Sequence, residues 1–109
     1  MKLKIGHTRY VIRTMSDDDE AEGIANGYVL PDKGLIVVSA TVPATRQLET
    51  LLHEIIHAGL HEYGHASWND EAVVGPLGCA LAAIILDNKG LLPVLMALRE
   101  GAGFLEGSK

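Results

Sequence analysis

Residues 47–64 constrain this chain more than any other stretch. They contain His53-Glu54-Ile55-Ile56-His57, a His-Glu-x-x-His zinc motif. Around it Leu48, Leu51, Leu52, Ile55, Ile56 and Leu60 recur at three- and four-residue spacing, which predicts an amphipathic helix. Residues four apart on a helix lie nearly above one another, so His53 and His57 point the same way and can share one metal ion. Glu54 is turned about 100° from His53, badly placed as a third ligand on that ion. It is well placed for a carboxylate that holds and deprotonates a metal-bound water. The competing reading is a surface helix with two solvent-facing histidines. Against it, the histidines border the apolar arc, where a second element should cover them.

The 109 residues suffice for one domain with a modest core, and 48% hydrophobic with 21% charged residues is ordinary for a soluble globule. A net charge of -5 without a basic cluster argues against nucleic-acid binding, which needs many Lys and Arg on one face. The single cysteine, Cys79, excludes an internal disulfide framework and a cysteine-rich zinc site; in its apolar run it is expected to be a small core residue. The N-terminus reads as a strand rather than a signal peptide. The longest apolar stretch, residues 80–86, is too short to span a membrane. The expectation is a cytoplasmic chain with no membrane partner.

Taken in order, residues 2–13 alternate enough to predict a first strand, broken at Gly6. Residues 16–20, with three consecutive aspartates, read as a solvated loop that lacks the ligand spacing and central glycine of an EF-hand. Residues 23–30 predict a weaker strand, Pro31-Asp32-Lys33-Gly34 a turn, and Leu35-Ile36-Val37-Val38 the clearest strand. These give a small, mostly antiparallel sheet. Thr41 is expected to cap the motif helix, with Pro43 in its first turn and Gly64 at its end. A second helix follows over residues 70–88, capped by Asn69 or Ser67 and kinked or divided by Pro76. It is apolar nearly all round, so it should be largely buried, with Val74, Leu77, Leu81, Ile84 and Ile85 facing the core. A short third helix covers residues 91–98, and residues 101–109 read as a frayed tail.

A catalytic zinc usually has three protein ligands and one open position. Candidates for the third are His7, His61, His65, Asp70 and Glu71. His61 lies about 12 Å along the helix axis from His53, too far to share an ion without unwinding the helix. The metzincin pattern wants glycine at 60 and histidine at 63, where this chain has Leu60 and Tyr63. Glu71 lies three residues before Val74, on the same side of the second helix, and is the better placed carboxylate. Asp70 and His65 stay open, and both acids would in any case favour the helix N-terminus electrostatically.

With His53, Glu54, His57 and Glu71 in hand, the chain resembles a small gluzincin of the phage- and bacterium-encoded ImmA/IrrE-like metallopeptidase group, with SprT-like domains as more distant company. The resemblance runs over about residues 35–88. It rests on Thr50-Leu-Leu-His-Glu-Ile-Ile-His-Ala58 and on Glu71-Ala-Val-Val-Gly-Pro-Leu-Gly-Cys-Ala-Leu. The family often has an Ala-Asn pair after the glutamate; here Val74-Gly75-Pro76 stands in that region. The resemblance implies an α+β fold: a small N-terminal sheet on a helical zincin-like core, residues 1–109 forming one minimal domain. It implies Zn2+ held by His53, His57 and Glu71, with Glu54 as the catalytic base. The implied activity is peptide-bond hydrolysis, and the implied partner is a protein or peptide substrate, such as a regulatory protein. Two rivals carry the same residues: a catalytically silent, zinc-stabilised interaction module, recognisable by a fourth protein ligand, and a metal-free helical adaptor.

Overall fold

A computed structural model of the chain describes residues 1–21, 23 and 26–102. The strands are β1 (Lys2–Ile5), β2 (Thr8–Thr14), β3 (Gly27–Leu30) and β4 (Leu35–Val38). The helices are α1 (Asp17–Ala21), α2 (Ala44–Glu62), α3 (Glu71–Asp87) and α4 (Leu91–Arg99). The sheet order is β1-β2-β4-β3; β1 with β2 and β3 with β4 are antiparallel, while β2 with β4 is parallel. The expected α+β architecture with a mostly antiparallel sheet is therefore present, and α2 lies on the sheet with α3 alongside it.

Several local expectations are corrected. The predicted first strand is a hairpin: Ile5 pairs Thr8 across a two-residue loop in which Gly6 has φ +60°, the glycine-first pattern of a tight hairpin turn. Residues 16–20 are not a loop, because Asp17–Ala21 is helical. The Asp19 N–H donates to Ser16 Oγ (3.2 Å) and the Ser16 N–H to Asp19 Oδ2 (3.0 Å), a reciprocal cap that the acidic first turn reinforces. Residues 24 and 25 of the weaker strand and residues 103–109 of the tail lie outside the described residues.

Thr41 does not cap α2. Its hydroxyl pairs with Ser39 Oγ at 2.9 Å, and Pro43 precedes the helix without a side-chain bond. Gln47 Nε2 instead donates back to the Val42 carbonyl at 2.8 Å. The other end of α2 is as expected. Gly64, at φ +74°, lets the His65 N–H reach the Leu60 carbonyl (2.8 Å) and its own N–H reach that of His61 (3.0 Å).

The cap of α3 is Asp70, whose Oδ1 accepts from the Ala72 N–H at 2.9 Å, rather than Asn69 or Ser67. Pro76 leaves the helix undivided across its 17 residues. The expectation holds at Val74, which is buried, but from Leu77 onward the predicted inward face is wrong by about a quarter turn, and the helix is not largely buried. Leu77, Leu81 and Ile84 are exposed and Ile85 is only half-buried; the buried stripe is Val74, Gly78 and Ala82. Cys79 is exposed as well, with its Sγ 3.6 Å from Glu49 Oε1, and is not a core residue. Where almost every position is apolar, hydrophobicity gives no phase, and close approach decides it. A Cβ on Gly78 would lie 3.2 Å from His53 Cα and 3.3 Å from His53 Cβ.

The core joins Ile5, Tyr10 and Ile36 of the sheet to Ala58 of α2, with Leu51 and Ile55 packed against them. At the far end of α2, Glu62 ties the helix to the hairpin. Thr8 Oγ1 and Tyr10 Oη (2.8 Å) both donate to its carboxylate and hold its pKa below the ordinary 4.5. Burial and the same carboxylate hold the Tyr10 phenol up.

Because the pKa of Glu62 is lowered on folding, its stabilising contribution is present above pH 4.5 and lost as pH falls through the folded value. Melting curves between neutral and acid pH should show a smaller acid loss for Glu62→Gln than for wild type; equal losses would remove Glu62 from the account. In α3, alanine gains about 1 kcal/mol of helix propensity over glycine, while overpacking against backbone costs about 1–3 kcal/mol. Gly78→Ala, facing the α2 backbone, should therefore lower the melting temperature. Gly75→Ala, where a Cβ meets nothing within 4 Å, should raise it.

Candidate metal centre

His53 and His57 project from α2 towards the start of α3, where Glu71 occupies the first helical position. His53 Nε2 lies 2.9 Å from Glu71 Oε2, His57 Nε2 lies 2.7 Å from Glu71 Oε1, and the two Nε2 atoms are 3.1 Å apart. The imidazole rings stand edge to face, 70° between planes and 4.8 Å between centroids. These three residues can hold one metal ion, and among the described residues no fourth His, Cys, Asp or Glu joins them.

The chemistry of the donor set fits zinc. Two imidazole nitrogens and one carboxylate oxygen match a catalytic zinc site, and the three donor atoms lie within 4.8 Å of one another. The ring orientation is right too. His57 Nδ1 is 2.6 Å from the Trp68 carbonyl, which can only accept, so Nδ1 donates to it and Nε2 is the ring nitrogen turned to the centre. His57 is buried and His53 half-buried, whereas Glu71 stays exposed, so the centre opens on its Glu71 side.

That side is a cleft of about 410 Å³. Its floor is α2, with Thr50, His53, Glu54 and His57; β3 forms one wall, from Gly27 to Val29, and Glu71 with Asn69 the other. Glu54 is 6% exposed, so the motif carboxylate sits nearly out of solvent beside the donors. Burial pushes its pKa up, the two histidines pull it back, and Glu71 adds to the rise. A group held in that way is a better proton acceptor than an exposed glutamate.

The other candidates are engaged elsewhere. Asp70 caps α3, and His65 Nδ1 accepts from the Ser67 N–H at 3.0 Å. His61 Nδ1 lies 3.3 Å from Glu62 Oε2, and its ring meets Trp68 edge-on. His7 is exposed in the hairpin loop, and Tyr63 is exposed beyond the end of α2.

Two contributors escaped the sequence reading. The Trp68 carbonyl is a backbone acceptor, and no side-chain pattern reveals it. Gly27 lets β3 settle on α2: a Cβ there would lie 2.6 Å from Thr50 Cγ2, 2.9 Å from the Val37 carbonyl oxygen and 3.4 Å from Glu54 Cγ. A glycine inside a strand signals close backbone approach, and that signal was available at Gly27.

Searches of curated proteins and of solved structures gave no significant match. A family model described as the IrrE N-terminal-like domain, peptidase M78, matches residues 8–74. That span begins at β2, takes in β3, β4 and all of α2, and stops one turn into α3, just after Glu71. More than half of the chain and every donor atom of the centre fall within it, and the chain belongs to the M78 peptidase family.

Proposed function

We propose that the chain is a zinc-dependent peptidase in which His53, His57 and Glu71 hold the ion and Glu54 moves the proton. The observation that carries this reading is the convergence of two Nε2 atoms and one carboxylate, with a buried glutamate beside them in an open cleft. The family supports it, and a peptidase fold implies a protein or peptide as substrate.

Zinc bound there would lower the pKa of a coordinated water and polarise the scissile carbonyl. The chain supplies the rest. The Trp68 carbonyl fixes the His57 ring, and the close α2–α3 crossing brings Glu71 to the same point. Glu54 takes a proton from the attacking water and returns it to the leaving amine, a role its desolvated position favours. β3 is an outer strand of the sheet and lines the cleft, so an extended peptide can add to it as a further strand, with its scissile bond near the histidines. Three converging donors rather than four among the described residues favour the enzyme over the silent zinc-stabilised module.

Metal content by mass spectrometry tests the ligand set. Wild type should carry one zinc per chain and Glu71→Ala, still folded, much less; undiminished zinc in the variant would move the third ligand elsewhere. Peptide-library digestion followed by mass spectrometry tests the chemistry. Glu54→Gln should retain zinc and lose about 10²–10⁴-fold in turnover, the usual range for a general acid–base group. A zinc-loaded wild type that cuts no peptide in the library would favour the silent module.

A further inference from the structure

Arg46, His53 and His57 lie along one line of α2. Seven residues make close to two helical turns, so Arg46 leaves the helix within about 20° of His53 and stands about 10 Å from it along the axis. It lines the floor of the same cleft as the metal donors, and among the described lining residues it carries the one permanent positive charge. Arg46 is exposed, and among the described residues no carboxylate pairs with it. Helix stability does not account for it either. It is the third residue of α2, in a first turn without an acidic residue, where the macrodipole disfavours a cation. Side chains that break a local rule in this way concentrate at functional sites.

Glu49, the other charged residue on this stretch of the floor, is turned away from it. Its position is about 60° round the helix from Arg46, towards α3, and its Oε1 lies 3.6 Å from Cys79 Sγ. The Arg46 guanidinium is left to the open cleft. It is a planar fork of donors with no acceptor, and it matches a carboxylate through two parallel hydrogen bonds. An extended chain rises about 3.3 Å per residue. A peptide lying along β3 with its scissile bond at the histidines therefore brings a group about three residues away over Arg46.

We infer that Arg46 is a specificity-determining residue that binds a substrate carboxylate about three residues from the scissile bond. An Asp or Glu side chain can supply that carboxylate, and so can the C-terminus of the peptide. The inference rests on the peptidase reading for its substrate. The charge balance of the cleft narrows the ligand to a single negative group. Glu49, Glu54 and Glu71 line the cleft too, and the whole chain carries a net charge of -5. A phosphate or a run of acidic residues meets repulsion there that one cation does not offset.

Affinity selection tests this without requiring catalysis. The zinc-loaded Glu54→Gln full chain is mixed with random peptides long enough to span the cleft, one set with free and one with amidated C-termini. Retained peptides are sequenced by mass spectrometry. An exposed ion pair changes binding by about two- to five-fold, so Asp and Glu, or free C-termini, should be enriched by that factor. Arg46→Gln should abolish the enrichment, and Arg46→Glu should replace it with enrichment of Lys and Arg. Enrichment of Asp and Glu among amidated peptides assigns the side chain as the source; a preference only for free over amidated ends assigns the C-terminus. Retention without a carboxylate preference, a preference unchanged in the Arg46 variants, or no retention at all overturns the inference, even where the wild type digests the library. An Arg46-dependent preference in a library that the wild type leaves uncut upholds the binding role and removes the peptidase reading.

Discussion

The crossing of α2 and α3 at Gly78 and His53 is the contact on which the centre depends. Two helices with ordinary side chains at their contact stay about 8–10 Å apart. Here hydrogen on one side meets backbone on the other, since even a methyl group at Gly78 would press on the His53 Cα. That closeness lets a glutamate at the first position of α3 reach two imidazoles on α2, within 2.9 Å in both cases. The buried stripe of small residues in α3 contributes little hydrophobic energy by itself. Its effect is geometric: it sets a separation that larger side chains would not allow.

Around that crossing, each group is held by something other than the centre. The Trp68 carbonyl orients His57, Gly27 allows β3 to close over Thr50 and Glu54, and Glu62 anchors the far end of α2 to the hairpin. The motif helix is thereby fixed along its length before any ion binds. Little rearrangement is then charged against metal affinity, which is what preorganisation means for a site of this kind.

The parts of this arrangement that are local in sequence were legible. The two histidines, the intervening glutamate and the αL glycine that ends the helix each follow from spacing or backbone conformation within a few residues. Glu71 could be singled out because the second helix is apolar almost throughout except at its start, where Asp70 and Glu71 stand. The face of α3 was not legible. Leu77, Leu81 and Ile84 are its largest residues at helical spacing, and only the tertiary need for close approach turns Gly78 and Ala82 inward in their place. The hairpin at Gly6 and the cap at Ser16 carried the right residue types. They were missed because a short break and an acidic run also have blander explanations. The Trp68 carbonyl, being backbone, left no trace in the sequence.

α3 serves two demands along one axis, and its helical phase couples them. Glu71 and Gly78 are seven residues apart, close to two full turns, so they share a face. The stripe that seats the helix on α2 is also the stripe that aims the carboxylate. Inserting or deleting one residue between them would swing Glu71 by about 100° away from the imidazoles, although every side chain of the motif remained. Ala82 carries the same phase one turn further on, but only the seven-residue interval before Gly78 aims a donor, and that interval is as much a part of the site as the motif itself.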